Sequence, residues 1–173
     1  MYLSIDQLPV PGTPGVLGLS RCPGTAEFWS RSSRHLDLDL EVIRNWGATG
    51  ILTLNEGGEL VWLGVSDLGS RVEAHGLIWW HAPITDFCAP GEDFEEAWKR
   101  IGTELQTRLE GGERLLIHCL AGLGRTGTVA ARILMERGAP AEDAVRAVRQ
   151  ARPGSIQSDE QMRYLLARAW ETH

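Results

Sequence analysis

The stretch Leu115-Leu-Ile-His-Cys-Leu-Ala-Gly-Leu-Gly-Arg-Thr-Gly127 decides how this chain is read. An apolar run, Arg114 to His118, has the length of a buried strand and ends on Cys119. Five residues follow, and Arg125 then opens a helical pattern that runs to Arg137, with Gly138 behind it. In a parallel α/β sheet, ligands bind beyond the carboxyl ends of the strands, which is where this order places Cys119. A short loop between strand and helix can gather its backbone N–H groups into an anion-binding nest at the positive end of the helix. Gly122 and Gly124 permit the positive φ and close approach that such a curl needs. Arg125 adds a planar fork able to hold two oxygens of a tetrahedral oxyanion.

The same surroundings act on the sulfur, because a helix N-terminus and a guanidinium both favour thiolate over thiol. The residues Leu120, Ala121, Gly122, Leu123, Gly124 and Arg125 are therefore expected to hold a phosphate above an ionised Cys119 nucleophile. The implied chemistry is displacement at phosphorus through a cysteinyl-phosphate intermediate. Arg125 and the loop amides supply the charge stabilisation, so neither metal nor cofactor is expected. Thr126 is expected to donate its hydroxyl to Cys119, and His118 to orient the loop rather than transfer protons.

Outward from this stretch, apolar runs alternate with helical patterns. Val16 to Leu19, Gly50 to Leu54 and Leu77 to His81 read as strands, the last stopped by Pro83. Leu36, Leu40, Ile43 and Trp46 fall at helical spacing before Gly47, and a short helix is expected over Asp67 to His75. Phe94, Trp98, Ile101, Leu105 and Leu109 form the clearest stripe, ended by Gly111-Gly112. Pro140 starts a helix towards Ala151, and Ser158-Asp-Glu-Gln161 caps the last one. Asn55-Glu-Gly-Gly58 reads as a turn. The predicted fold is α/β, one domain with a mostly parallel central sheet flanked by helices. Residues 1–15, with Pro9-Val-Pro-Gly-Thr-Pro-Gly15, are expected to be an irregular lead-in to a domain over 16–173.

Composition narrows the class. The chain has 173 residues, 43% of them hydrophobic, enough for a single core and too apolar for disorder. Three cysteines make no disulfide framework and suit a reducing compartment, so a cytoplasmic location is expected. No apolar run reaches membrane-spanning length, and Met-Tyr-Leu-Ser-Ile-Asp at the start resembles no secretory leader. A net charge of −6 disfavours nucleic acid as a partner. No histidine has partners at metal-ligand spacing.

His118-Cys119-Leu-Ala-Gly-Leu-Gly-Arg125-Thr126 resembles the His-Cys-x5-Arg-Ser/Thr signature of the protein tyrosine and dual-specificity phosphatases. Leu17 to Gly24, Gly57 to Leu60, Val65 to Leu68, Pro83 to Asp86 and Ile156-Gln157 are similar to the kinase-associated phosphatase group. The resemblance implies a phosphatase acting on phosphorylated protein Tyr or Ser/Thr, and it raises a kinase as one candidate partner. Expelling an alkoxide or phenoxide needs a proton donor. Asp86 lies in a Pro-flanked loop after a strand and upstream of Cys119, the order of the family's general acid. Asp93 is the fallback, although a carboxylate at a helix start also answers the macrodipole. Gln157 resembles the glutamine that orients the hydrolytic water, and it also reads as a plain loop residue.

Two other functions share the signature. A phosphoinositide or inositol phosphate phosphatase would use the same chemistry, but Leu120, Ala121 and Leu123 are apolar where such enzymes often carry lysine. A silent phosphopeptide-binding module would be expected to lack the nucleophile, the arginine or the acid, and all three candidates are present. Cys22 and Cys88 are candidates to protect an oxidised Cys119 by a disulfide. The oligomeric state is not legible.

Overall fold

The computed structural model describes residues 2–25 and 33–168; residues 26–32 and 169–173 of the expected domain lie outside them. Its centre is a five-stranded sheet in the order β1-β2-β5-β3-β4. The strands are β1 (Asp6–Pro9), β2 (Val16–Ser20), β3 (Ala48–Thr53), β4 (Ile78–His81) and β5 (Arg114–His118). The last four run parallel, and only β1 lies antiparallel, against β2. The predicted α/β architecture is the one observed.

The apolar run of β5 explains its central place. Leu115, Leu116 and Ile117 are all fully buried, because successive side chains face opposite sides of the sheet and both sides are covered. Leu115 and Ile117 join a core built with helices α4 (Glu92–Glu110), α5 (Gly124–Glu136), α6 (Ala141–Ala151) and α7 (Asp159–Arg168). Leu116 points into a second core, with α1 (Ser33–Trp46), α2 (Gly57–Trp62) and α3 (Leu68–Ala74). Trp79 and Trp80 divide between the two cores in the same way. Each fully buried Leu or Ile contributes roughly 1.5–3 kcal/mol. Together these layers make β5 the most deeply held strand, so the loop that follows it has a rigid base.

Two elements depart from the expectation. Asp6–Pro9, in the segment expected to be irregular, is strand β1, paired Asp6 to Leu19 through Pro9 to Val16. Pro9 ends an edge strand, where a missing N–H costs nothing to the sheet. The turn expected at Asn55 to Gly58 continues into helix α2. Gly57 and Gly58 are poor helix formers, but the Glu59 carboxylate accepts the Glu56 N–H at 2.8 Å and Leu60 is buried, which together hold the turn helical.

The carboxyl ends of β2, β3 and β5 are level, with Ser20 and Thr53 both in register with His118. The loops leaving these ends meet in one place.

Glycines in two helices should answer the same substitution with opposite signs. Gly58 has no atom within 4 Å of an added methyl, so Gly58→Ala should raise stability by about 0.5 kcal/mol. A methyl on Gly69 of α3 would lie 2.5 Å from Trp79, so Gly69→Ala should lose about 1–3 kcal/mol despite alanine's better propensity. Urea unfolding of both variants checks the pair.

Candidate active site

Residues 119–123 connect β5 to α5, and the hydrogen bonds of their carbonyls define the shape of the loop. The Cys119 carbonyl accepts from His118 Nδ1 at 3.1 Å, and the Leu120 carbonyl from the Cys22 amide at 3.0 Å. The Ala121 carbonyl accepts from Arg152 Nη2 at 2.9 Å, and the Gly122 carbonyl from Arg152 Nε at 2.7 Å. Four consecutive carbonyls are thus bonded to groups outside the loop. In a trans peptide the next residue's N–H points the opposite way. The amides of Leu120, Ala121, Gly122 and Leu123 are therefore turned away from those partners, towards a common side. With the N-terminus of α5 they make an arrangement of donors suited to an anion.

Gly122 is required by space as well as by conformation. Its φ is +75°, and a methyl there would come 2.1 Å from the Ser20 carbonyl. Cys119 is buried at the base of the loop. Gln157 is brought alongside: a methyl on Gly124 would lie 2.9 Å from its Oε1. Gln161 is buried beside it and forms the expected capping box, accepting the Ser158 amide at 3.2 Å while its own amide donates to Ser158 Oγ at 3.2 Å. It also accepts the Gln157 amide at 2.9 Å, a contact the sequence did not suggest.

His118 is fully buried, and burial chiefly drives its pKa down from 6.5 to about 4. Since a carbonyl can only accept, Nδ1 carries the proton it gives to Cys119. Nε2 then accepts from the Thr53 hydroxyl at 2.7 Å, and Thr53 in turn accepts from Trp79 Nε1 at 2.9 Å. This relay ties the imidazole to the first carbonyl of the loop. The bond expected from Thr126 to Cys119 is not made: Thr126 Oγ1 is buried without a hydrogen-bond partner.

The Arg125 side chain is 0% exposed. Its Nη1 and Nη2 donate to the two oxygens of Glu59 at 2.6 and 2.8 Å, and Nη1 also donates to the Ile84 carbonyl at 2.9 Å. Burial works against the guanidinium's charge, but the Glu59 bonds outweigh it and hold its pKa above the ordinary value. Burial likewise works against the Glu59 carboxylate, which Arg125 and the Glu56 amide keep below the usual range. Sequence reasoning quoted Gly57 to Leu60 but gave Glu59 no role, because it read Asn55 to Gly58 as a turn. Arg125 Nε is buried with no partner, a donor suited to an anionic ligand.

Asp86 is brought to this arginine, with Oδ1 3.1 Å from Nη2 and its side chain 43% exposed. It also accepts the amide of Phe87, whose φ is +59°. The Asp86 loop is tied to α2 by a bond from Thr85 to Glu56 at 3.0 Å. Gln161 and Glu160 tie its far side to α7. Asp93 lies instead in the first turn of α4. Asn55 is buried and contacts Glu59. All three cysteines are free, and burial, with Cys119 as a neighbour, pushes the Cys22 thiol up. Among the described residues, no helix is long and apolar enough to cross a membrane.

Comparison with known proteins agrees with this geometry. Residues 25–139 match the family model described as "Polymorphic toxin system, DSP-PTPase phosphatase". Cyclin-dependent kinase inhibitor 3 of Rattus norvegicus is 32% identical over 152 residues, covering 86% of this chain and 69% of that protein. The crystal structure of kinase associated phosphatase, with serine substituted for its catalytic-site cysteine, superposes with a TM-score of 0.85. It is 29% identical, and the match covers 95% of this chain and 93% of that one. The active form of Tk-PTP gives a TM-score of 0.71 at 31% identity, over 97% and 98% of the two chains.

Removing the carboxylate charge beneath Arg125 tests its support. Glu59→Gln should raise the KM for an aryl phosphate about tenfold, through loss of a charge-assisted bidentate pair. An unchanged KM would show that Arg125 is held without it. His118 offers a test in pH. Its proton binds at about 4 in the folded state and about 6.5 in the unfolded one, so the unfolded chain holds more protons in between. This contribution is fully present above pH 6.5 and is lost as pH falls through 4, on the order of 3 kcal/mol in all. The His118 ring should stay neutral at pH 6 by NMR; a midpoint near 6.5 would contradict the relay.

Proposed function

The chain belongs to the cysteine-dependent dual-specificity and tyrosine phosphatase family, and from that premise we propose the residues that carry the reaction. It is a protein phosphatase with a phosphorylated protein or peptide as substrate. Cys119 is the nucleophile, Arg125 and the amides of residues 120–123 hold the phosphoryl oxygens, and Asp86 is the general acid and base. The observation that carries this reading is the set of outward bonds made by the carbonyls of 119–122, which turns four amides onto the side of an anion.

In the first step Cys119 Sγ attacks phosphorus while the P–O bond to the substrate breaks, and Asp86 gives its proton to the departing oxygen. Asp86 then takes a proton from water, which attacks the cysteinyl phosphate and releases inorganic phosphate and the thiolate. Arg125 supports both steps, since its fork matches two equatorial oxygens of the transferring group. The position of Gln157 beside Gly124 supports a role in holding that water. The names of the relatives favour a phosphorylated kinase among the candidate substrates.

Cys119→Ser should abolish turnover of phosphotyrosine and phosphothreonine peptides while leaving tungstate binding intact. Wild-type turnover in that variant would refute the nucleophile. Asp86→Asn should slow alkyl phosphates at least about 100-fold and an aryl phosphate with a good leaving group far less. Equal losses on both would place the acid elsewhere.

A further inference from the structure

Loop and scaffold meet at one arginine outside the signature. Arg152 follows α6 and its side chain is 16% exposed. Its planar guanidinium makes three contacts in three directions: Nε to the Gly122 carbonyl at 2.7 Å, Nη2 to the Ala121 carbonyl at 2.9 Å, and Nη1 to Asp6 Oδ2 at 2.7 Å. Asp6 is the first residue of β1, 146 positions away in sequence.

We propose that Asp6 and Arg152 form a positioning relay that sets the orientation of the two peptide groups 121–122 and 122–123, and so makes the N-terminal strand part of the phosphate-binding machinery. Gly122 admits no other residue, because a side chain would strike the Ser20 carbonyl. Yet glycine visits both signs of φ at little cost, so the peptides flanking it can flip easily. A flip would exchange an N–H for a carbonyl oxygen on the ligand side, and a carbonyl dipole repels a phosphate. Nothing in the loop's own sequence prevents this, so the orientation must be imposed from outside. Arg152 does so with two donors in fixed planar geometry on the two carbonyls concerned.

Asp6 holds the third edge of the same plane. A guanidinium with two carbonyls alone would keep its charge beside the nest and could swing towards an incoming anion. The carboxylate fixes the plane and balances the charge. Antiparallel pairing of Asp6 with Leu19 in β2 ties this carboxylate to the strand that ends at Ser20, against which Gly122 is seated. The relay rests on the reading of residues 120–123 as the oxyanion site.

The test uses the full chain carrying Cys119→Ser, with tungstate binding measured by calorimetry. Arg152→Met should weaken tungstate about 100-fold and Asp6→Asn about tenfold, with Arg152→Lys between wild type and Arg152→Met. The double variant Asp6→Asn/Arg152→Met should bind no more weakly than Arg152→Met alone, because both act through one guanidinium. In the active enzyme, Asp6→Asn should raise the inhibition constant for vanadate and lower kcat/KM in proportion, with an unchanged thermal midpoint. A purely structural salt bridge would move the midpoint and leave tungstate affinity alone. Unaltered affinity in Asp6→Asn and Arg152→Lys, or effects that multiply in the double variant, would overturn the relay. If Cys119→Ser without further change fails to bind tungstate, the oxyanion site itself is misread and the relay falls with it.

Discussion

A backbone carbonyl that has a partner on one side commits the following amide to the other, and in this protein four successive residues are committed in the same sense. The four donors come from three separate places: a histidine ring on β5, the amide of Cys22 beyond β2, and two nitrogens of Arg152 after α6. A five-residue loop is too short to hold such a curl alone, and its glycines make it softer still. The shape is therefore a property of the whole sheet. With β5 central and buried on both faces, the ends of β2, β3 and β5 stay level, and the donors remain within hydrogen-bond range of the loop.

Charge is arranged on the same plan. A buried guanidinium is costly, and Arg125 is tolerated because Glu59 takes two of its donors and Ile84 a third. The pair contributes little to stability in itself, since desolvation of both ions offsets much of their attraction. Its value is positional: it leaves Nε without a protein partner and holds Nη2 beside Asp86. Helix α2 and its N-cap serve both members of the machinery, since Glu59 in the helix holds Arg125 and Glu56 at its N-cap holds the Asp86 loop through Thr85. A displacement of α2 would disturb the clamp and the acid together.

What could be read in the sequence was local. The run from Arg114 to Thr126 carried strand, loop and helix in consecutive residues, so the fold class, Cys119 and Arg125 were legible from it. Asp86 was legible from chain order, since a Pro-flanked loop after β4 has few other carboxylates. Glu59 was hidden for a physical reason. Gly57-Gly58 signals a turn, and only the Glu59 carboxylate and the burial of Leu60 reverse that preference. Arg152 and Asp6 were hidden because their partners lie 30 and 146 positions away, and neither has a motif of its own. The expected Thr126 bond shows the opposite error. A motif position gives the residue type, but the hydroxyl's direction depends on the helix start, and here it finds no partner.

Backbone NMR of the isotopically labelled Cys119→Ser protein during a tungstate titration reads the orientation of the loop amides at the atoms concerned. The amide protons of Leu120, Ala121, Gly122 and Leu123 should move downfield together and saturate with the bound ion, as four donors gaining one anionic acceptor must. Saturable tungstate binding that leaves those four amides unmoved would contradict the account, because the anion would then be held by side chains alone.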